Sequence, residues 1–116
     1  MPKPAHELAA IFAEGVVTQN RYIWQGDAVS GNRHAVRYIE AARALLTGDP
    51  THLDAFCALL EHSDPSVRGT AAAFLLKDRT DQAVPVLHAL ASGEGLAALG
   101  ARATLERYER GVLTIV

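Results

Sequence analysis

The residue types that could carry chemistry in this chain are five histidines (His6, His34, His52, His62 and His88), one cysteine (Cys57) and four serines (Ser30, Ser63, Ser66 and Ser92). A helical zinc site needs histidines three or four residues apart, an H-E-x-x-H run, or cysteines paired as C-x-x-C, because only such spacings turn several ligands onto one ion. None of these spacings occurs, so no metal and no cofactor are expected, and the histidines read as exposed or helix-terminal residues. No serine lies in a G-x-S-x-G turn, and all four fit caps and first helical turns. Cys57 shares an apolar spacing with Leu53, Phe56 and Leu60, where a thiol packs as a small hydrophobe and is held away from reactivity. Phosphate-cradling patterns are missing, and Gly93-Glu94-Gly95 sets an acid where a phosphate would have to bind. No catalytic residue is singled out.

Arginine and aromatic side chains remain. Asn20-Arg21-Tyr22-Ile23-Trp24-Gln25 is followed by Asn32-Arg33-His34 and Arg37-Tyr38. Arg33 and Arg37 fall one helical turn apart, near the only tryptophan, and Trp, Tyr and Arg are the residues that anchor protein interfaces. Trp24, Arg33, Arg37 and Tyr38 are therefore the candidate binding residues. In the competing reading, Trp24 and Tyr22 cover the end of the first helical hairpin and the arginines are merely solvated. Eleven Lys and Arg against thirteen Asp and Glu leave a formal charge of −2, so no bulk field favours nucleic acid. The expected partner is another protein.

These residues need elements to hold them. The 116 residues suffice for one domain, here taken as 1–116, and 21 Ala with 14 Leu favour helix. Asp49-Pro50 and Asp64-Pro65 each put an N-cap before a proline at the first helical position. Gly26, Gly48, Gly93 and Gly111 read as left-handed C-terminal caps, with Asp27 and Glu94 opening the next helices. Six helices follow, at about 4–25, 27–47, 50–62, 64–77, 81–92 and 94–110. Pro85, near the end of the first turn of the fifth, is expected to push that start later. The apolar stripes are Leu8, Ile11, Phe12, Val16; Ala35, Tyr38, Ile39, Ala42, Leu45, Leu46; Leu53, Phe56, Cys57, Leu60; Val67, Ala71, Phe74, Leu75; Ala83, Val86, Leu87, Leu90; and Ala98, Ala101, Leu105, Tyr108.

A shift of 30 residues aligns Ala41 with Ala71 and Ala101, and Leu45 with Leu75 and Leu105. Such a period implies stacked helix pairs, at about 4–47, 50–77 and 81–110, that share a core none could bury alone. The expected class is all-α, a short right-handed α-α superhelix of about three hairpins. Its fourth helix carries a recognisable start: Leu59-Leu60-Glu61-His62-Ser63-Asp64-Pro65-Ser66-Val67-Arg68, then Ala71-Ala72-Ala73 and Leu75-Leu76, resembles a bacterial HEAT-type repeat with its Asp-Pro-x-Val-Arg start. Ala83-Val84-Pro85-Val86-Leu87 through Arg102-Ala103-Thr104-Leu105 resembles a degenerate copy lacking those signatures. The layout, with Gly26-Asp27, Asn32 and the run from Thr104 to Gly111, is similar to a small bacterial family catalogued as "domain of unknown function twenty-nineteen". The resemblance implies an armadillo-like fold and no established activity. Asp64, Pro65, Val67 and Arg68 are then structural positions, Arg68 bridging to acidic groups or carbonyls of the adjoining pair.

Beyond Gly111 the apolar Val112-Leu113-Thr114-Ile115-Val116 is expected to dock on the last pair, or else to pair with a second chain. The lone cysteine and the lack of a secretory or membrane-spanning stretch point to a cytoplasmic protein with no membrane partner. The functional expectation is a non-enzymatic protein-binding module, of the immunity or adaptor kind. The alternatives are a HEAT-like enzyme or small-ligand binder using Trp24, Tyr38 and Glu40, as some HEAT-like proteins act on tetrapyrroles or alkylated bases, and a structural homo-oligomer.

Overall fold

A computed structural model describes residues 3–111, and the expectation for the 112–116 tail lies outside them. The described residues form an all-α protein of six α-helices: α1 (Ala5–Trp24), α2 (Ala28–Thr47), α3 (Pro50–Ala58), α4 (Pro65–Leu75), α5 (Thr80–Ala91) and α6 (Leu96–Glu109). The third helix tightens into a 3-10 turn over Leu59–Glu61. Three helix starts are capped as their sequence requires. Asp27 accepts the Ser30 N–H at 3.1 Å, Asp49 accepts that of His52 at 3.1 Å, and Asp64 accepts those of Ser66 and Val67 at 2.7 and 3.3 Å.

The chain divides into two units, one ending at Leu59 and the other beginning at Leu60. In the first, α1 and α2 form an antiparallel hairpin on which α3 packs. Phe12 is fully buried at its centre, with its ring edge-on to Tyr38 at 5.5 Å and to Phe56 at 4.9 Å. Leu8, Val16, Ala42 and Leu45 complete this core. In the second unit α5 packs on both α4 and α6, around Val67, Ala71, Leu75, Leu87, Ala98 and Ala101. Ala41, Ala71 and Ala101 are all buried, as are Leu45, Leu75 and Leu105.

Several local expectations need correction. Gly26 and Gly111 take left-handed φ of 78° and 71°, but Gly48 and Gly93 do not. Gly48 is extended, at φ −80° and ψ −167°. Glycine is needed there for space, since a Cβ would stand 2.6 Å from Cγ of His52. Near α6 the left-handed residue is Gly95, with φ 93° and ψ −172°, a region essentially reserved for glycine. It displaces the helix start from Glu94 to Leu96. Pro85 does not delay α5, which begins at Thr80 and carries the proline inside. The proline removes the one N–H that would reach the Asp81 carbonyl, and Asp81 is exposed to water. Of the expected stripe on α6, Tyr108 is exposed, one residue before the end of the helix.

Arg68 donates from Nη1 to the carbonyls of His62 and Ser63, at 2.8 and 3.2 Å. These belong to the turn before its own helix and not to an adjoining helix pair. His62 adds a second tie, its Nδ1 accepting the Asp64 N–H at 3.0 Å. Arg102 fastens the α5–α6 turn in the same way, Nε to the Ala91 carbonyl at 2.9 Å and Nη2 to that of Gly93 at 2.8 Å.

Candidate interaction site on the first hairpin

The α1–α2 seam is set by small residues that admit large neighbours. At Gly15 a Cβ would sit 2.8 Å from Cβ of Tyr38, and at Gly31 it would sit 3.2 Å from the Gln19 carbonyl. Across this seam the Tyr38 hydroxyl donates to Oε1 of Gln19 at 3.0 Å. One turn nearer the hairpin bend, Tyr22 and His34 stack at 5.3 Å with an interplanar angle of 14°. Burial pushes the Tyr38 phenol above its ordinary value, with the Gln19 bond acting against the shift. Tyr38 is thus a half-buried link between two helices, bonded at its hydroxyl and packed at its ring.

Arg33 and Arg37 project from α2 and are exposed. Arg37 borders two shallow depressions beside the seam. One, of about 160 Å3, is lined also by Lys3, Leu8, Ile11, Glu40 and Ala41. The other, of about 100 Å3, is lined also by Ile11, Glu14, Gly15, Thr18 and His34. Both fall below the roughly 300 Å3 at which small-molecule sites begin. Arg33 lies near Asp27, whose carboxyl is held below its usual value chiefly by the hydrogen bonds from Ser30 and least by the arginine.

Trp24 is 76% exposed but belongs to another side of the hairpin. At 3.6 residues per turn its Cβ leaves α1 about 140° away from that of Ile11. Neither depression includes it. Arg33 and Arg37 therefore stand together, Tyr38 lies behind them in the seam, and Trp24 is set apart. Trp24, Tyr38 and Glu40, the residues considered for an enzyme, do not converge.

Sequence reasoning passed over Val29 and Val36, which are 68% and 56% exposed on α2. Their signal was present, since both lie off the apolar stripe of that helix. Ile23 on α1 is 40% exposed, and Leu96 and Leu99 are exposed on α6. Among the described residues no cluster of three His, Cys, Asp or Glu could hold a metal ion, and no helix is long and apolar enough to cross a membrane.

No protein-family model matches the chain, and no curated protein matches it. A solved structure does: the crystal structure of the protein RPA1889 from Rhodopseudomonas palustris CGA009 has a TM-score of 0.85, with 25% sequence identity, over 96% of this chain and 93% of that one. This chain is thus similar, over nearly all its length, to a bacterial protein of the same helical fold.

Proposed function

We propose that this chain is a non-enzymatic protein-interaction module, cytoplasmic and built as a HEAT-like array of helix pairs. The observation that carries the reading is the exposed surface of the first hairpin, where Val29 and Val36 stand open with Arg33 and Arg37 on α2, and Ile23 and Trp24 stand open on α1. Exposed apolar side chains among arginines are the composition of interface anchors, and leaving them in water costs free energy that a partner recovers. The burial shared by Ala41, Ala71 and Ala101 and by Leu45, Leu75 and Leu105 supports the repeated-pair reading, as does the capped Asp64-Pro65 start. An immunity or adaptor role follows by analogy of fold, which does not determine function.

The test uses the full chain, tagged and purified from its native lysate, in native form and as Trp24→Ala and Val29→Ser/Val36→Ser. Circular dichroism verifies that each variant is folded. A protein retained in stoichiometric amount, binding directly when both are purified and lost in the variants, supports the module. Retention of no protein by the native chain, or retention indifferent to every substitution, overturns it.

A further inference from the structure

The outward side of α2 carries charge that its own unit leaves unanswered. At 3.6 residues per turn, Val29, Arg33, Val36, Arg37 and Glu40 fall within an arc of about 100°. Arg33 and Arg37 are exposed and one turn apart, with Cβ atoms about 5–6 Å from each other. Neither forms an ion pair or hydrogen bond among the described residues. Asp27, the acid that feels Arg33, already has its carboxylate engaged by Ser30. Glu40 is three residues from Arg37, yet no ion pair joins them. Lys3 borders the same depression as Arg37 and Glu40, so two cations face one carboxylate there, and Glu14 borders the second depression with Arg37. Val29 and Val36, two turns apart, give this charged stripe an apolar edge.

We propose that this side of α2 receives an acidic amphipathic helix of a protein partner. Two carboxylates one turn apart on that helix would meet Arg33 and Arg37, and its apolar side chains would cover Val29 and Val36. The inference rests on the interaction-module reading and adds the chemistry of the partner. Guanidinium and carboxylate match as planar forks, and carboxylates on a helix recur at the same one-turn spacing as the arginines. Apolar residues at two-turn spacing are what a helix laid along another helix buries. A nucleic acid would use the arginines but not the valines, and it would meet a chain of net charge −2.

The probes are dye-labelled synthetic helical peptides carrying leucines two turns apart and a one-turn pair of Glu, Gln or Lys, together with a labelled duplex DNA. Binding to the full chain is read by fluorescence anisotropy at low and high salt. The Glu peptide is expected to bind, more weakly as salt rises, and to lose about tenfold in affinity when it carries Gln or when the chain carries Arg33→Glu/Arg37→Glu. The Lys peptide is expected to bind the doubly substituted chain better than the native one. The two arginines form no ion pair or hydrogen bond among the described residues, so the variant is expected to keep its fold, which circular dichroism verifies. Equal binding of the Glu and Gln peptides, no binding of the Glu peptide, or preference for DNA overturns the proposal. A partner confirmed by direct binding but indifferent to Arg33→Glu/Arg37→Glu overturns this inference while leaving the module reading in place; loss of that partner supports it.

Discussion

Gly15 and Gly100 are both helix-interior glycines, and the same substitution acts on them with opposite sign. Alanine is the better helix former by about 0.5–1 kcal/mol, and at Gly100 a Cβ meets nothing within 4 Å, so Gly100→Ala is expected to stabilise by that amount. At Gly15 the added carbon would stand 2.8 Å from Cβ of Tyr38, and Gly15→Ala is expected to destabilise by about 1–3 kcal/mol. Urea unfolding of the two variants checks both signs. Nothing near Gly15 in the chain announces this, because its neighbour is 23 residues away. Asp49 is different, since its role was legible from Asp49-Pro50 alone. The hydrogen bonds from the His52 ring and backbone hold its carboxyl below the ordinary 3.8. A carboxyl whose pKa is lowered by folding contributes stability above its unfolded value and loses it as pH falls through the folded one. Asp49→Asn, which keeps an acceptor but cannot titrate, is expected to show a flatter loss of stability below about pH 4 than the native chain in acid-series urea melts.

At the scale of elements, the turns that lead into α4 and α6 show what a motif conveys. The Asp-Pro-x-Val-Arg start marked Arg68, and its guanidinium does serve the fold, but the partners are the carbonyls of His62 and Ser63 in its own turn. Arg68→Ala is expected to cost about 1 kcal/mol and to speed hydrogen exchange at the start of α4, with Arg68→Lys recovering only part because lysine lacks the fork. Arg102 does the same work for the α5–α6 turn without any motif to mark it. Its position depends on where Gly95 lets α6 begin, which the helix-former composition of residues 96–109 does not reveal. Pro85 was expected to move a boundary, and it sits instead at an exposed position where water can serve the carbonyl it leaves free.

For the molecule as a whole, the near balance of charge is a property of the full list of residues, and it sets what the surface attracts. With a formal charge of −2 and an isoelectric point near 6.2, the chain is expected to bind duplex DNA no better than its Arg33→Glu/Arg37→Glu variant at about 0.15 M salt, as read by anisotropy. The sequence by itself determined the all-α class, the six helices to within a few residues, the Asp-Pro starts and most of the buried stripe, because caps and a 3.6-residue period are local properties that each segment carries with it. Only the tertiary structure decided which aromatic faces water. Tyr22, Trp24 and Tyr38 look alike as interface residues in the chain, yet Tyr38 is bonded to Gln19 and packed on Phe12, Tyr22 stacks on His34, and Trp24 stands open. The reason is the hairpin itself. Its seam is fixed by Gly15 and Gly31, whose missing side chains let α2 approach α1, and a close approach between distant residues is a property of the packed pair that neither segment holds alone.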